Sequence, residues 1–154
     1  MVYESIQQIS AAVLIIALLV YIAVKDVCMR KIGKIETFLL VCLVLMRCEG
    51  IAEALAAGLL CAAALELVNL LFFQLKGLGG GDIRLMFVSG CLLGMAGGFV
   101  AFLAGGVLSL LSAAGCFWLR GNRDPAEFAA MEIPFGAFLS AGMILVMFAD
   151  RLFC

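Results

Sequence analysis

Six apolar segments separated by short polar connections constrain this chain more than any other feature of its sequence. A helix that crosses a bilayer needs about 20 mostly apolar residues. In this chain 66% of residues are hydrophobic and 14% are charged, against about 45–50% and about 25% in ordinary globular domains. We therefore expect an all-α integral membrane protein that forms a single membrane-embedded domain over residues 1–154. The six predicted transmembrane helices are approximately Ile6–Val24, Ile35–Met46, Ile51–Leu75, Ile83–Ala96, Gly98–Leu119 and Ile133–Phe153.

The sequence also predicts how the first span is processed and where two connections are shortest. The first span lacks a basic segment before its apolar core, so it is expected to be retained rather than removed as a signal peptide. Very tight connections are predicted at Cys48–Gly50 and at the Gly97-Gly98 pair.

The basic residues predict the orientation of the spans. Cytoplasmic loops are enriched in lysine and arginine. With six spans, eight of the ten basic residues fall on one side and only Arg47 and Arg151 on the other. The basic side carries Lys25, Arg30, Lys31, Lys34, Lys76, Arg84, Arg120 and Arg123. This predicts both termini outside the cytoplasm, and it brings Asp26 and Asp82 to the same cytoplasmic boundary.

Composition excludes several kinds of chemistry. The chain has no histidine, which removes Ser-His and Cys-His triads and imidazole ligands. Its seven cysteines form no CxxC pair, so neither a disulfide framework nor a zinc site is predicted. We expect no metal and no cofactor. A net charge of −1 gives no indication of nucleic-acid binding; the expected surroundings are the lipid bilayer and a protein substrate, with the oligomeric state left open.

The run Gly79-Gly80-Gly81-Asp82 is the main candidate site, because an ionisable residue at membrane depth is a functional candidate by default. Taken alone, Asp82 is better explained as a helix N-cap, and Asp26 as one charge in a solvated loop. Together, at one depth, they predict a pair of carboxylates that shares a proton, as in aspartic proteases. Glycines at 79 and 81 are predicted to let an extended substrate pair with the backbone.

Two further features have other interpretations. Glu66 and Asn69 lie one turn apart in the third span, and they either hydrogen-bond between helices or bind an ion in a small transporter or channel. Gly90, Gly94 and Gly98 repeat every four residues, which is typical of close helix packing.

Three blocks together resemble the type IV prepilin peptidases, the A24 family of aspartic proteases. The first is Gly79–Asp82, which matches the family's GxGD motif and is followed by Ile83-Arg84-Leu85 where the family has lysine at the middle position. The second runs from Asp26 to Ile32, as in the family's D-x(5)-I-P-N, with Gly33-Lys34 in place of Pro-Asn. The third runs from Ile133 to Leu139 and resembles the family's I-P-F-G-P-F.

The resemblance implies an endopeptidase that cleaves the leader of prepilin-like membrane proteins at the cytoplasmic face of a prokaryotic plasma membrane. Asp26 and Asp82 would be the catalytic pair, and five residues would bind substrate: Gly79, Gly81, Arg84, Pro134 and Gly136. Such substrates have a short basic leader, a glycine before the cut and an apolar helix after it. The cysteine-rich domain that large members use for N-methylation has no counterpart in these residues, so methyltransferase activity is not expected. A non-catalytic pilin-assembly factor remains an alternative.

Overall fold

The computed structural model describes residues 2–48, 50–73, 79–120 and 134–153, and almost all of them are helical. The described ranges contain five α-helices and no strand, which confirms the predicted all-α class. The helices are α1 (Val2–Met29), α2 (Lys34–Leu45), α3 (Ile51–Phe73), α4 (Gly80–Arg120) and α5 (Phe135–Phe153).

Three of these helices contain apolar stretches long enough to cross a bilayer: Ser10–Met29, Ile51–Leu71 and Gly80–Trp118. A shorter apolar stretch, Phe135–Ala149, lies in α5. Large apolar side chains such as Leu103 and Phe148 are more than half exposed on the outer surface. Such a surface is stable when lipid rather than water surrounds it. Length, composition and surface together indicate a membrane protein.

Helix α4 reverses direction at Gly94, which corrects the predicted boundary between the fourth and fifth spans. Gly94 has φ 71° and ψ 177°, a backbone conformation that is accessible essentially to glycine alone. A Cβ on Gly98 would lie 3.2 Å from Cα of Gly90, so the two arms of α4 run back against each other. The turn therefore lies at Gly94 and not at Gly97-Gly98.

The spacing of Gly90, Gly94 and Gly98 thus has two causes. Gly90 and Gly98 do allow close packing, as predicted, since a Cβ on Gly90 would also lie 2.7 Å from the carbonyl oxygen of Ala57 in α3. Gly94 belongs to the turn, and a Cβ there would meet nothing within 4 Å. The helix-packing interpretation of Gly94 was therefore wrong.

The hydrophobic core is formed by residues of α1, α2, α4 and α5. Its fully buried side chains include Leu40 of α2, Leu85 of α4 and Leu139 of α5. Helix α1 contributes Ile15, Leu19 and Ile22, at the spacing of one helical face. The next residue on that face is Asp26. The periodicity that buries the apolar stripe of α1 therefore also carries this carboxylate into the interior.

Candidate active site

Asp26 lies in the last turn of α1 and is only 6% exposed. The alternative of a solvated loop charge was therefore wrong. Its Oδ2 accepts a hydrogen bond from the backbone N–H of Ala137 at 3.0 Å. Ala137 is in the first turn of α5, where backbone N–H groups have no partner within the helix. Asp26 therefore supplies the N-terminus of α5 with an acceptor, and that N–H holds the carboxylate in place.

Asp82 is the third residue of α4 and is half-buried. Its Oδ2 accepts from the N–H of Gly79 at 3.2 Å, and its own N–H donates to the carbonyl oxygen of Gly79 at 3.0 Å. This is the reach of an N3 carboxylate back to the cap residue, so Asp82 is not the N-cap itself. Gly80 and Gly81 are helical, so the glycine run is not a strand with which an extended substrate could pair, contrary to the prediction.

Asp26 and Asp82, 56 positions apart in the sequence, line one cleft of about 360 Å³. Two negative charges that share one cleft repel each other. The cleft also has a basic rim, formed by Arg30, Lys31, Lys34 and Arg84. Cations around two carboxylates lower the cost of holding negative charge there.

Ile32 lines the cleft and lies between the first turns of α4 and α5. A Cβ on Gly81 would lie 2.9 Å from Cβ of Ile32, and a Cβ on Gly136 would lie 2.5 Å from its Cδ1. The same Cβ on Gly136 would lie 2.9 Å from Oδ2 of Asp26. Both helices approach this closely because glycine occupies positions 81 and 136.

The other predicted site residues lie around this centre. Gly79, Gly81 and Arg84 line the cleft. Pro134 precedes α5 by one residue and is half-buried, while Gly136 is buried against Asp26. Ile133, predicted in the same block, lies outside the described residues.

Glu66 and Asn69, the candidate ion site of the rival interpretation, have different environments. Glu66 is exposed on α3, whereas Asn69 is 3% exposed. The described part of the chain contains no group of three or more Cys, Asp or Glu side chains arranged to hold a metal ion. These observations do not favour an ion site on α3.

Sequence reasoning missed Ile32 as a site residue and did not use the basic rim. A signal for Ile32 was present, because it is the one apolar side chain in the stretch Arg30-Lys31-Ile32-Gly33-Lys34. An isolated apolar residue within a basic connection indicates a side chain that packs inward. Lys25 also forms an ion pair with Glu36, which links the C-terminal part of α1 to the first turn of α2.

Residues 13–114 match the model of the type IV leader peptidase family, Peptidase A24. The chain belongs to this family. The matched segment includes Asp26, Ile32 and the run Gly79–Asp82. No curated protein sequence and no solved structure gives a significant match to the chain.

Membership in the leader peptidase family implies a peptidase and a prepilin-like membrane substrate. The match ends before Pro134 and Gly136. The structure nevertheless brings the first turn of α5 onto Asp26. The third block that resembles the family therefore contacts Asp26, although the family match contains only the first two blocks.

Proposed function

We propose that this protein is an aspartic endopeptidase that removes the leader peptide of prepilin-like membrane proteins, with Asp26 and Asp82 as its catalytic pair. The observation that carries the proposal is that both carboxylates line one cleft, each of them held by a backbone N–H at a helix end. Family membership supports the peptidase reaction and the substrate class. The basic rim supports a cytoplasmic location of the cleft, in a plasma membrane that the chain crosses several times.

The mechanism follows from two carboxylates that share one proton. The ionised carboxyl takes a proton from a water molecule, whose oxygen attacks the scissile carbonyl carbon. The protonated carboxyl donates its proton to the carbonyl oxygen, and a tetrahedral intermediate forms. As the C–N bond breaks, the leaving nitrogen accepts the proton that the first carboxyl took, and the second carboxyl recovers its own.

Backbone N–H groups hold both carboxylates for this reaction. Ala137 donates to Asp26 from α5, and Gly79 donates to Asp82 from the start of α4. Rigid helix ends position catalytic groups more precisely than loops do. Gly81 and Gly136 contribute to the site indirectly, because they let the first turns of α4 and α5 pack closely against Ile32, which lines the cleft. Gly79, Arg84 and Pro134 are the proposed direct contacts to substrate.

The test is cleavage of a co-expressed prepilin, followed by the gel shift that loss of the leader produces. Asp26→Asn and Asp82→Asn keep the size of each side chain but remove the acid, so each is expected to abolish cleavage. Glu66→Gln is the matched control, because Glu66 is an exposed carboxylate on α3 away from the cleft. Full processing by either aspartate variant contradicts the catalytic pair.

The same experiment separates the rival functions. An assembly factor without catalytic activity binds prepilin but leaves it uncleaved by the unaltered protein. A transporter shows ion flux that Glu66→Gln reduces, with cleavage absent throughout. Neither rival predicts that conservative changes at both Asp26 and Asp82 remove one shared activity.

A further inference from the structure

A second, apolar groove begins at the cleft and lies between α2 and the N-terminal arm of α4. Its volume is about 260 Å³. Lys34 and Arg84 line both the cleft and the groove, so the two are continuous. The remaining lining residues are Thr37, Phe38, Val41 and Phe87. Three of these four are apolar, in contrast to the charged cleft.

The groove leads away from the cleft along α2 and α4. On α2 its residues advance from Lys34 to Val41, which is about 10 Å at 1.5 Å per residue. On α4 they advance from Arg84 to Phe87. Both helices begin beside the aspartates, so residues further along each helix lie further from the cleft. The groove can hold about seven residues of a helix along this length.

Phe38 is the most accessible apolar side chain of the groove, with 66% of its surface exposed. It lies outside the described hydrophobic core, whereas Phe87 packs partly against that core. An exposed aromatic ring beside a catalytic cleft is available to a ligand without any loss of internal packing.

We propose that this groove binds the apolar segment that directly follows the scissile bond of the substrate. The inference rests on the proposed peptidase function, because it takes the scissile bond to lie at Asp26 and Asp82. A chain cut there continues on one side into an apolar helix, and the groove is the apolar surface continuous with the cleft.

The kinetic test uses Phe38→Ala in the full chain, reconstituted in bilayers, with a purified prepilin as substrate. Lipid is as apolar as the groove, so the gain from binding there comes from packing. We expect KM to rise about three- to tenfold with kcat nearly unchanged, the pattern of lost uniform binding. Phe148→Ala is the matched control, since Phe148 is a similarly exposed phenylalanine on α5.

A substrate-side change tests whether the apolar segment is the occupant. Serine in place of one of its first seven apolar residues is expected to raise KM for the unaltered enzyme. When the serine substitution is combined with Phe38→Ala, the rise in KM is expected to be smaller than the product of the two separate rises, because both changes remove the same contact. If the effect of Phe38→Ala is the same for every substrate variant, a lipid or another ligand occupies the groove and the inference is overturned.

A direct contact test keeps the substrate uncut by using Asp82→Asn. Benzoylphenylalanine in place of Phe38 is expected to cross-link to the first seven residues after the scissile bond, while the same probe in place of Phe148 is not. Cross-links to the leader or to lipid alone overturn the inference. If the unaltered protein cleaves prepilin but Phe38→Ala behaves like Phe148→Ala, only the groove assignment fails; if it cleaves no prepilin, the proposed function fails.

Discussion

The backbone N–H of Ala137 donates to Oδ2 of Asp26 at 3.0 Å, across 111 positions of the sequence. This hydrogen bond joins the end of α1 to the beginning of α5. It satisfies a helix N-terminus and a buried carboxylate at once, each of which would otherwise be costly in a membrane protein. The same contact gives the first turn of α5 a part in positioning the carboxylate of Asp26.

Gly136→Ala crowds Asp26 and Ile32 at the same time. The added methyl would lie 2.9 Å from Oδ2 of Asp26 and 2.5 Å from Cδ1 of Ile32. Overpacking of this kind costs about 1–3 kcal/mol, and we expect lower thermal stability in detergent together with loss of cleavage. Gly106→Ala is the control, because a Cβ at that position of α4 meets nothing within 4 Å.

The double variant Gly136→Ala/Ile32→Val separates the two contacts. Valine lacks Cδ1, so the clash with residue 32 is relieved while the clash with Asp26 stays. We expect partial recovery of the melting temperature but little recovery of cleavage. Equal recovery of both would mean that Gly136 acts on activity through Ile32 alone.

The pairing of Asp26 with Asp82 was predicted from charge distribution, since alternate basic loops brought both to one boundary. Burial of Asp26 was also readable, because it continues the stripe of Ile15, Leu19 and Ile22 on α1. The hydrogen bond to Ala137 was not readable, since no local pattern specifies which buried carboxylate meets which helix end. The six spans and the external termini remain predictions.

The position of the turn in α4 could not be predicted from the sequence, for a different reason. The backbone could reverse direction at any of three glycines, Gly94, Gly97 and Gly98. What decides among them is the packing of the two arms: Gly90 and Gly98 must face each other, and Gly90 must also approach the backbone of α3. The local sequence allows a turn at any of these glycines, and tertiary contacts determine which of them forms it.

Gly94→Ala tests the turn without crowding any neighbour. Gly94 has φ 71° and ψ 177°, and a Cβ there would meet nothing within 4 Å. Any loss of stability therefore comes from the backbone conformation, which costs about 1–3 kcal/mol for other residues. We expect a lower melting temperature for Gly94→Ala. The melting temperature of Gly106→Ala is not expected to fall, because Gly106 has a helical backbone. An unchanged melting temperature for Gly94→Ala would contradict the reversal at this residue.

The cytoplasmic position of the cleft is testable through Cys28, an exposed thiol in the last turn of α1, two residues after Asp26. Because the basic residues cluster on this side, we expect a membrane-impermeant maleimide to modify Cys28 in inside-out vesicles and not in right-side-out vesicles. Peptide mass spectrometry identifies the modified cysteine, and Cys28→Ser removes that signal. Cys61, fully buried in α3, is expected to stay unmodified in both preparations. Modification of Cys28 from the outer face alone would reverse the orientation and move the proposed cleavage to the opposite side of the membrane.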